Sequence, residues 1–135
     1  MISTRRGLAS FSVDDLDAAR RFYEDVLGAR VTVGEQFLVL HLDGGSAFFV
    51  YPKEDHVPAT FTIFHLAVDD VDAAVDELEA KGVEMLRYDS FDHDERGIVR
   101  GFMMGGDGAW FADPAGNVIG LMDGEEARRF DEIIT

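Results

Sequence analysis

At 135 residues the chain has room for one compact core and not for two independent ones, and its 47% hydrophobic and 11% aromatic content is ordinary for a globular protein. A formal net charge of −15 repels phosphates and excludes nucleic acid as a partner, while the absence of cysteine excludes disulfides and thiolate chemistry. No apolar run approaches the roughly 20 residues that cross a bilayer and the N-terminal MISTRRGLAS has no signal-peptide core, so no membrane and a cytoplasmic location are expected.

In chain order, the apolar stretch from Leu8 to Val13 predicts a first strand, and VDDLDAA at 13–19 opens a helix in which Asp14 or Asp15 caps free N–H groups. Leu16, Ala19, Phe22, Tyr23, Val26 and Leu27 recur at helical spacing, and Gly28 ends the helix. Val31 to Val33 predicts the next strand, and FLVLHLDGGSAFFVY (37–51) two more around a Gly-Gly turn. The same order then repeats. Residues 68–74 read VDDVDAA, matching 13–19 at six of seven positions with an offset of 55. They follow the apolar run Phe61 to Val68 and open a helix of Val71, Ala74, Val75 and Leu78, closed by Gly82. Val83 to Leu86 predicts a strand, and AWFADPAGNVIGLM (109–122) a hairpin in which Pro114 fixes φ and Gly116 supplies the positive φ of a three-residue loop. Aligning Gly45 with Gly116 raises the offset to 71, so the second copy carries a longer connection, roughly Tyr88 to Gly108. Each half is thus read as βαβββ, module one about 7–52 and module two about 61–123, within one α+β domain spanning 1–135.

FSVDDLDAARRFYEDVLG in the first half and WFADPAGNVIGLMD in the second, RFYEDVLG and DPAGN above all, resemble the vicinal oxygen chelate superfamily, which holds glyoxalases, bleomycin-resistance proteins and ring-cleaving dioxygenases. The resemblance runs from about Gly7 to Asp123. It implies an eight-stranded U-shaped sheet with helices outside and a small-molecule cleft in its concavity. It also implies metal-ligand positions on the first and last strand of each half. In this sequence those fall on Leu8, Phe49, Ile63 and Gly120, none of which donates a lone pair, so no metal and no other cofactor is expected.

Strand alternation, assuming no bulge, turns Ala9, Phe11, Val13, Phe64, Leu66, Phe111, Ile119 and Leu121 toward the helices. It turns Ile63, His65, Ala67, Trp110, Val118, Gly120 and Met122 toward the cleft, with Phe37, Val39, His41, Phe49 and Tyr51 from the first half. The expected ligand-binding set is His41, His65, Phe37, Phe49, Tyr51, Trp110 and Met122, with His65 the best candidate for catalysis by an imidazole near neutrality. His56, in the linker before Pro58, and His93, in DSFDHDERG, read as solvated, and Arg96 and Arg100 as surface ion pairs. Gly105-Gly106-Asp107-Gly108 opens no helix, so it reads as a flexible cleft edge and not as a phosphate loop. The acidity suits a solvated surface in a saline cytoplasm, or a field that attracts a cationic ligand. The function expected is metal-free binding of a small amphipathic or cationic molecule by a homodimer. The alternative is a lyase, isomerase or dioxygenase of the same superfamily, acting metal-free through His65 or with atypical metal ligands.

Overall fold

Two aspartates start two helices, and they do so with equivalent bonds. In the computed structural model, which describes residues 2–102 and 105–134, the Asp15 carboxylate accepts from the Ala18 N–H at 3.1 Å. The Asp70 carboxylate accepts from Asp72 and Ala73 at 2.9 and 3.4 Å. The first intrahelical bonds, from Ala19 N–H to the Asp15 carbonyl and from Ala74 N–H to the Asp70 carbonyl, are 3.0 and 3.1 Å. Such caps satisfy N–H groups that a helix start otherwise leaves open.

The chain divides into two compact units, Met1–Pro58 and Ala59–Thr135. The first contains β1 (Ala9–Val13), α1 (Leu16–Arg21) continuing as a π-helical turn (Phe22–Val26), β2 (Arg30–Val33), β3 (Leu38–His41) and β4 (Ala47–Pro52). The second contains β5 (Thr62–Ala67), α2 (Val71–Ala80), β6 (Val99–Phe102), β7 (Gly106–Ala112), β8 (Val118–Met122) and α3 (Gly124–Ile134). Their sheets have matching orders, β1-β4-β3-β2 and β5-β8-β7-β6, each with one parallel pair, β1 with β4 and β5 with β8. These are tandem βαβββ modules.

Register repeats as well. Ser10 pairs with Phe49 and Val39 with Phe49; at the two sequence offsets, His65 pairs with Gly120 and Trp110 with Gly120. The turns close by the same two backbone bonds, Leu42 N–H to Ser46 carbonyl and Gly45 N–H to Leu42 carbonyl, against Asp113 N–H to Asn117 carbonyl and Gly116 N–H to Asp113 carbonyl. The first turn uses positive φ at both Gly44 and Gly45; the second uses Gly116 and the Asp113 carboxylate, which accepts from Ala115 N–H, Asn117 N–H and Asn117 Nδ2.

The first sheet buries one face, and the second buries residues on both. In the first unit Phe11, Val13, Leu38, Leu40 and Val50 are buried, and the Phe11 ring lies 6.0 Å from Tyr23 of the π-turn and 6.5 Å from Phe48. In the second, Phe64, Ile119 and Phe111 form one buried row and Leu121 and Ala109 the next, while α2 buries Val71, Val75 and Leu78. Asp123 joins helix to sheet, its carboxylate accepting from Val71 N–H at 2.8 Å and Asp107 N–H at 2.7 Å.

Three expectations are corrected. Val83 to Leu86 is not a strand; Leu86 alone bridges to Trp110, because the Arg87 guanidinium binds the Met85 and Glu95 carbonyls and folds the chain back. The strand beside β7 is instead Val99–Phe102, inside the stretch expected to be a connection. Gly106 and Gly108 belong to β7 and are not a flexible edge. Helix α3 lies beyond the last predicted element.

Candidate functional site

The sheet faces opposite the buried rows carry the residues selected from sequence. On the first, Phe37 stacks on Phe49 with centroids 5.2 Å apart and planes 22° apart, and Phe49 meets Tyr51 at 6.2 Å and 31°. Tyr23 reaches Phe11, which alternates with Ser10 and Ser12, so the helix covers the other face and leaves this one to the aromatic strip. All three rings are half-buried. Gly34 makes room for the strip, since a Cβ there would stand 2.2 Å from the Phe37 ring.

Two histidines border the strip. His41 Nε2 is 2.9 Å from Thr32 Oγ1, across the β2–β3 pair. His56 Nδ1 is 2.7 Å from Ser12 Oγ, and Ser12 is paired with Tyr51. His56 is therefore half-buried against β1 and not a solvated linker residue, an arrangement joining positions 44 apart that no local pattern signals.

On the second sheet, His65, Gly120 and Trp110 form one row across β5, β8 and β7, and Ala67, Met122 and Gly108 the next. The His65 ring lies over Gly120: a Cβ on that glycine would stand 2.7 Å from His65 Cδ2 and 3.1 Å from Nε2. His65 is exposed on its outer side, but the part of the ring packed over Gly120 is desolvated, which lowers the imidazole pKa from its ordinary value of 6.5. Folding thus favours the neutral ring, so this contribution to stability is complete above the ordinary value and is lost as pH falls through the lowered one. An NMR titration of His65 should give a midpoint below 6.5; a midpoint at or above it would contradict the desolvation.

Register shifts between Thr62 and Phe64, so Thr62 and not Ile63 is the residue paired with Val118. The Thr62 methyl stands 3.3 Å from the position of a Gly120 Cβ. This bulge corrects the alternation expected for Ile63.

Trp110 is only 6% exposed. Phe91 stacks on it at 5.1 Å and 18°, and Tyr88 and Phe102 meet it edge-on at 5.6 and 5.3 Å. Its cluster is completed by Val99, Val118 and Leu86, and among the described residues none of α2 or α3 joins it. Phe102 also covers Gly108, where a Cβ would stand 2.9 Å from the ring. Met122 is buried on the same face.

Beside this cluster, Arg96 pairs with Asp76 and Glu79 of α2 at 2.6 Å, and Arg100 with Asp72, Asp107 and Asp94 at 2.7 to 3.0 Å. Both are engaged with carboxylates, as surface ion pairs. His93 Nδ1 is 2.9 Å from the Asp94 carbonyl, and the Asp94 carboxylate accepts from Arg96 and Ile98 N–H groups, both at 2.9 Å.

The positions at which the resemblance implies metal ligands do not fit a metal. Leu8, Phe49 and Ile63 are hydrocarbon, and the space a side chain at 120 needs is filled by His65. Among the described residues no three His, Asp or Glu side chains converge on a point where an ion could sit.

Comparison with curated protein sequences gives no match. Among solved structures, UcmS2 superimposes with a TM-score of 0.68 at 20% identity, covering 91% of this chain and 100% of that one. TnmS3, an antibiotic binding protein from Streptomyces sp. CB03234, gives 0.64 at 24% identity, covering 90% and 98%. The genomically encoded fosfomycin resistance protein FosX from Listeria monocytogenes gives 0.68 at 20% identity, covering 95% and 99%. These likenesses establish the fold. The model of the Glyoxalase/Bleomycin resistance protein/Dioxygenase superfamily matches residues 7–121, and with its paired βαβββ modules the chain belongs to that superfamily.

Proposed function

We propose that this protein binds a small amphipathic or cationic molecule on the sheet faces opposite its buried core rows, without a bound metal. One observation carries the reading: Phe37, Phe49 and Tyr51 form a continuous, half-buried aromatic strip on a sheet face whose opposite side already holds the core. A core does not need that second apolar face, whereas a ligand does. The Ser12–His56 and Thr32–His41 pairs border the strip with hydrogen-bonding groups that set orientation. The net charge of −15 favours a cationic ligand. The antibiotic-binding TnmS3 shares the fold, which is compatible with such a role.

The test uses proflavine, a planar aromatic cation, as the probe. Fluorescence titration should show saturable binding that weakens at least tenfold in Phe49→Ala while the far-ultraviolet circular dichroism is retained. Stacking on a desolvated cation, together with lost burial, is sufficient for that factor. Elemental analysis of the same preparation should find no stoichiometric divalent metal. Unchanged proflavine affinity in Phe49→Ala would remove the strip as the binding surface.

A further inference from the structure

The ring stacked on Trp110 belongs to the protein, but it has the properties of a guest. Phe91 is 39% exposed, whereas Trp110 beneath it is 6% exposed. It follows the turn Asp89-Ser90, closed by a bond from Phe91 N–H to the Tyr88 carbonyl. The anchors of this connection lie to either side of that tip. On one side Arg87 holds the Met85 and Glu95 carbonyls; on the other Asp94 N–H binds the Ile98 carbonyl and Arg96 is clamped to α2. Tyr88 and Phe102 stand perpendicular to the indole plane, and Phe102 also meets Phe91 at 5.7 Å and 85°, so Phe91 lies parallel on the Trp110 floor with Phe102 as its wall.

We infer that Phe91 is a displaceable cover, occupying the place on Trp110 that a planar aromatic cation takes when it binds. This rests on the binding function proposed above and adds to it a second aromatic subsite, on the second sheet, with its own occupant. A flat ring replacing Phe91 keeps both the parallel stack on Trp110 and the perpendicular contact with Phe102, so displacement exchanges equivalent ring contacts and exposes little of the indole. The positive charge is favoured because Asp89 and Asp92, both exposed, flank Phe91 in sequence. The fixed anchors let residues 89–92 move without unpairing β6 or releasing α2.

Trp110 is the only tryptophan in the chain, so its fluorescence reports this subsite alone. Acrylamide quenching should be at least threefold stronger in Phe91→Ala than in the parent and near the parent value in Phe91→Leu, which restores a cover without a ring. Proflavine should bind Phe91→Ala at least fivefold more tightly than the parent and should protect Trp110 from acrylamide when bound. Unchanged quenching in Phe91→Ala overturns the inference, because Phe91 is then no cover. Equal proflavine affinity for parent and Phe91→Ala, with weaker binding in Phe49→Ala, also overturns it but leaves the strip on the first sheet as the binding surface. No proflavine binding by any of the three removes the binding function and the displaceable cover together.

Discussion

Trp110→Ala is expected to lower unfolding free energy by about 3–5 kcal/mol, the range for truncating a large buried aromatic. The indole fills the centre of a cluster whose other members are Tyr88, Phe91, Phe102, Val99, Val118 and Leu86, and three of its neighbours are rings in direct contact. Truncation removes every one of those contacts at once and leaves a cavity between two strands and the connection folded over them. Each ring pair adds about 0.5–1.5 kcal/mol beyond burial, so the cluster cannot close without further loss. Against a total stability of about 5–15 kcal/mol the variant should be visibly destabilised in a urea titration. Phe49→Ala, which removes a half-buried ring from a sheet face, should cost clearly less in the same assay. A Trp110→Ala loss under about 1 kcal/mol would show that the surrounding rings collapse into the space.

Asp113→Ala is the second large effect, at about 3 kcal/mol. The side chain is 5% exposed and Asn117 beside it 3%. Its carboxylate accepts from Ala115 N–H at 3.0 Å, Asn117 N–H at 2.8 Å and Asn117 Nδ2 at 3.1 Å. Alanine leaves those donors without that acceptor in a place water reaches poorly, and each orphaned buried group costs about 1–3 kcal/mol. Asp113→Asn keeps an acceptor oxygen and should recover part of the loss. Equal denaturation midpoints for the alanine variant and the parent would mean that Gly116 alone holds the turn. The equivalent position in the first module is Leu42, whose turn relies on two positive-φ glycines, so Leu42→Ala should leave turn hydrogen bonding intact.

The duplicated elements were legible because their signals are local. VDDLDAA and VDDVDAA place a capping aspartate directly ahead of an apolar helical pattern, and DPAGN fixes a turn through Pro114 and Gly116. Period-two alternation then put His65, Gly120 and Trp110 in one row, and the Gly45–Gly116 alignment gave the equivalent row in the other sheet. What stayed hidden depended on distant partners. Strand β6 is the segment VRGF, with a positive φ at Gly101 and an irregular register against β7, which in isolation reads as loop. The bulge between Thr62 and Phe64 leaves no mark in a run of apolar residues. Helix α3 did carry a signal, since Ala127, Phe130, Ile133 and Ile134 follow helical spacing after Gly124. Alternation told which way Trp110 faces but not what lies on it. Tyr88, Phe91 and Phe102, three rings in one Gly- and Asp-rich connection, were the available hint.

The repeat offset is 55 up to the second helix and 71 at the final hairpin, so the second module holds sixteen more residues, all between the helix and β7. Strand pairing on both sides of that insertion is nonetheless equivalent, His65 with Gly120 matching Ser10 with Phe49. The scaffold therefore tolerates length change at this one place, and the inserted segment supplies Tyr88 and Phe91, two of the three rings around Trp110, the third being Phe102 of β6. Such a segment is a graftable cassette: exchanging residues 87–98 between relatives alters what the second sheet presents while the strands, caps and turns that specify folding stay as they are. The surface of the second sheet can thus diversify by loop replacement, uncoupled from the constraints on the framework.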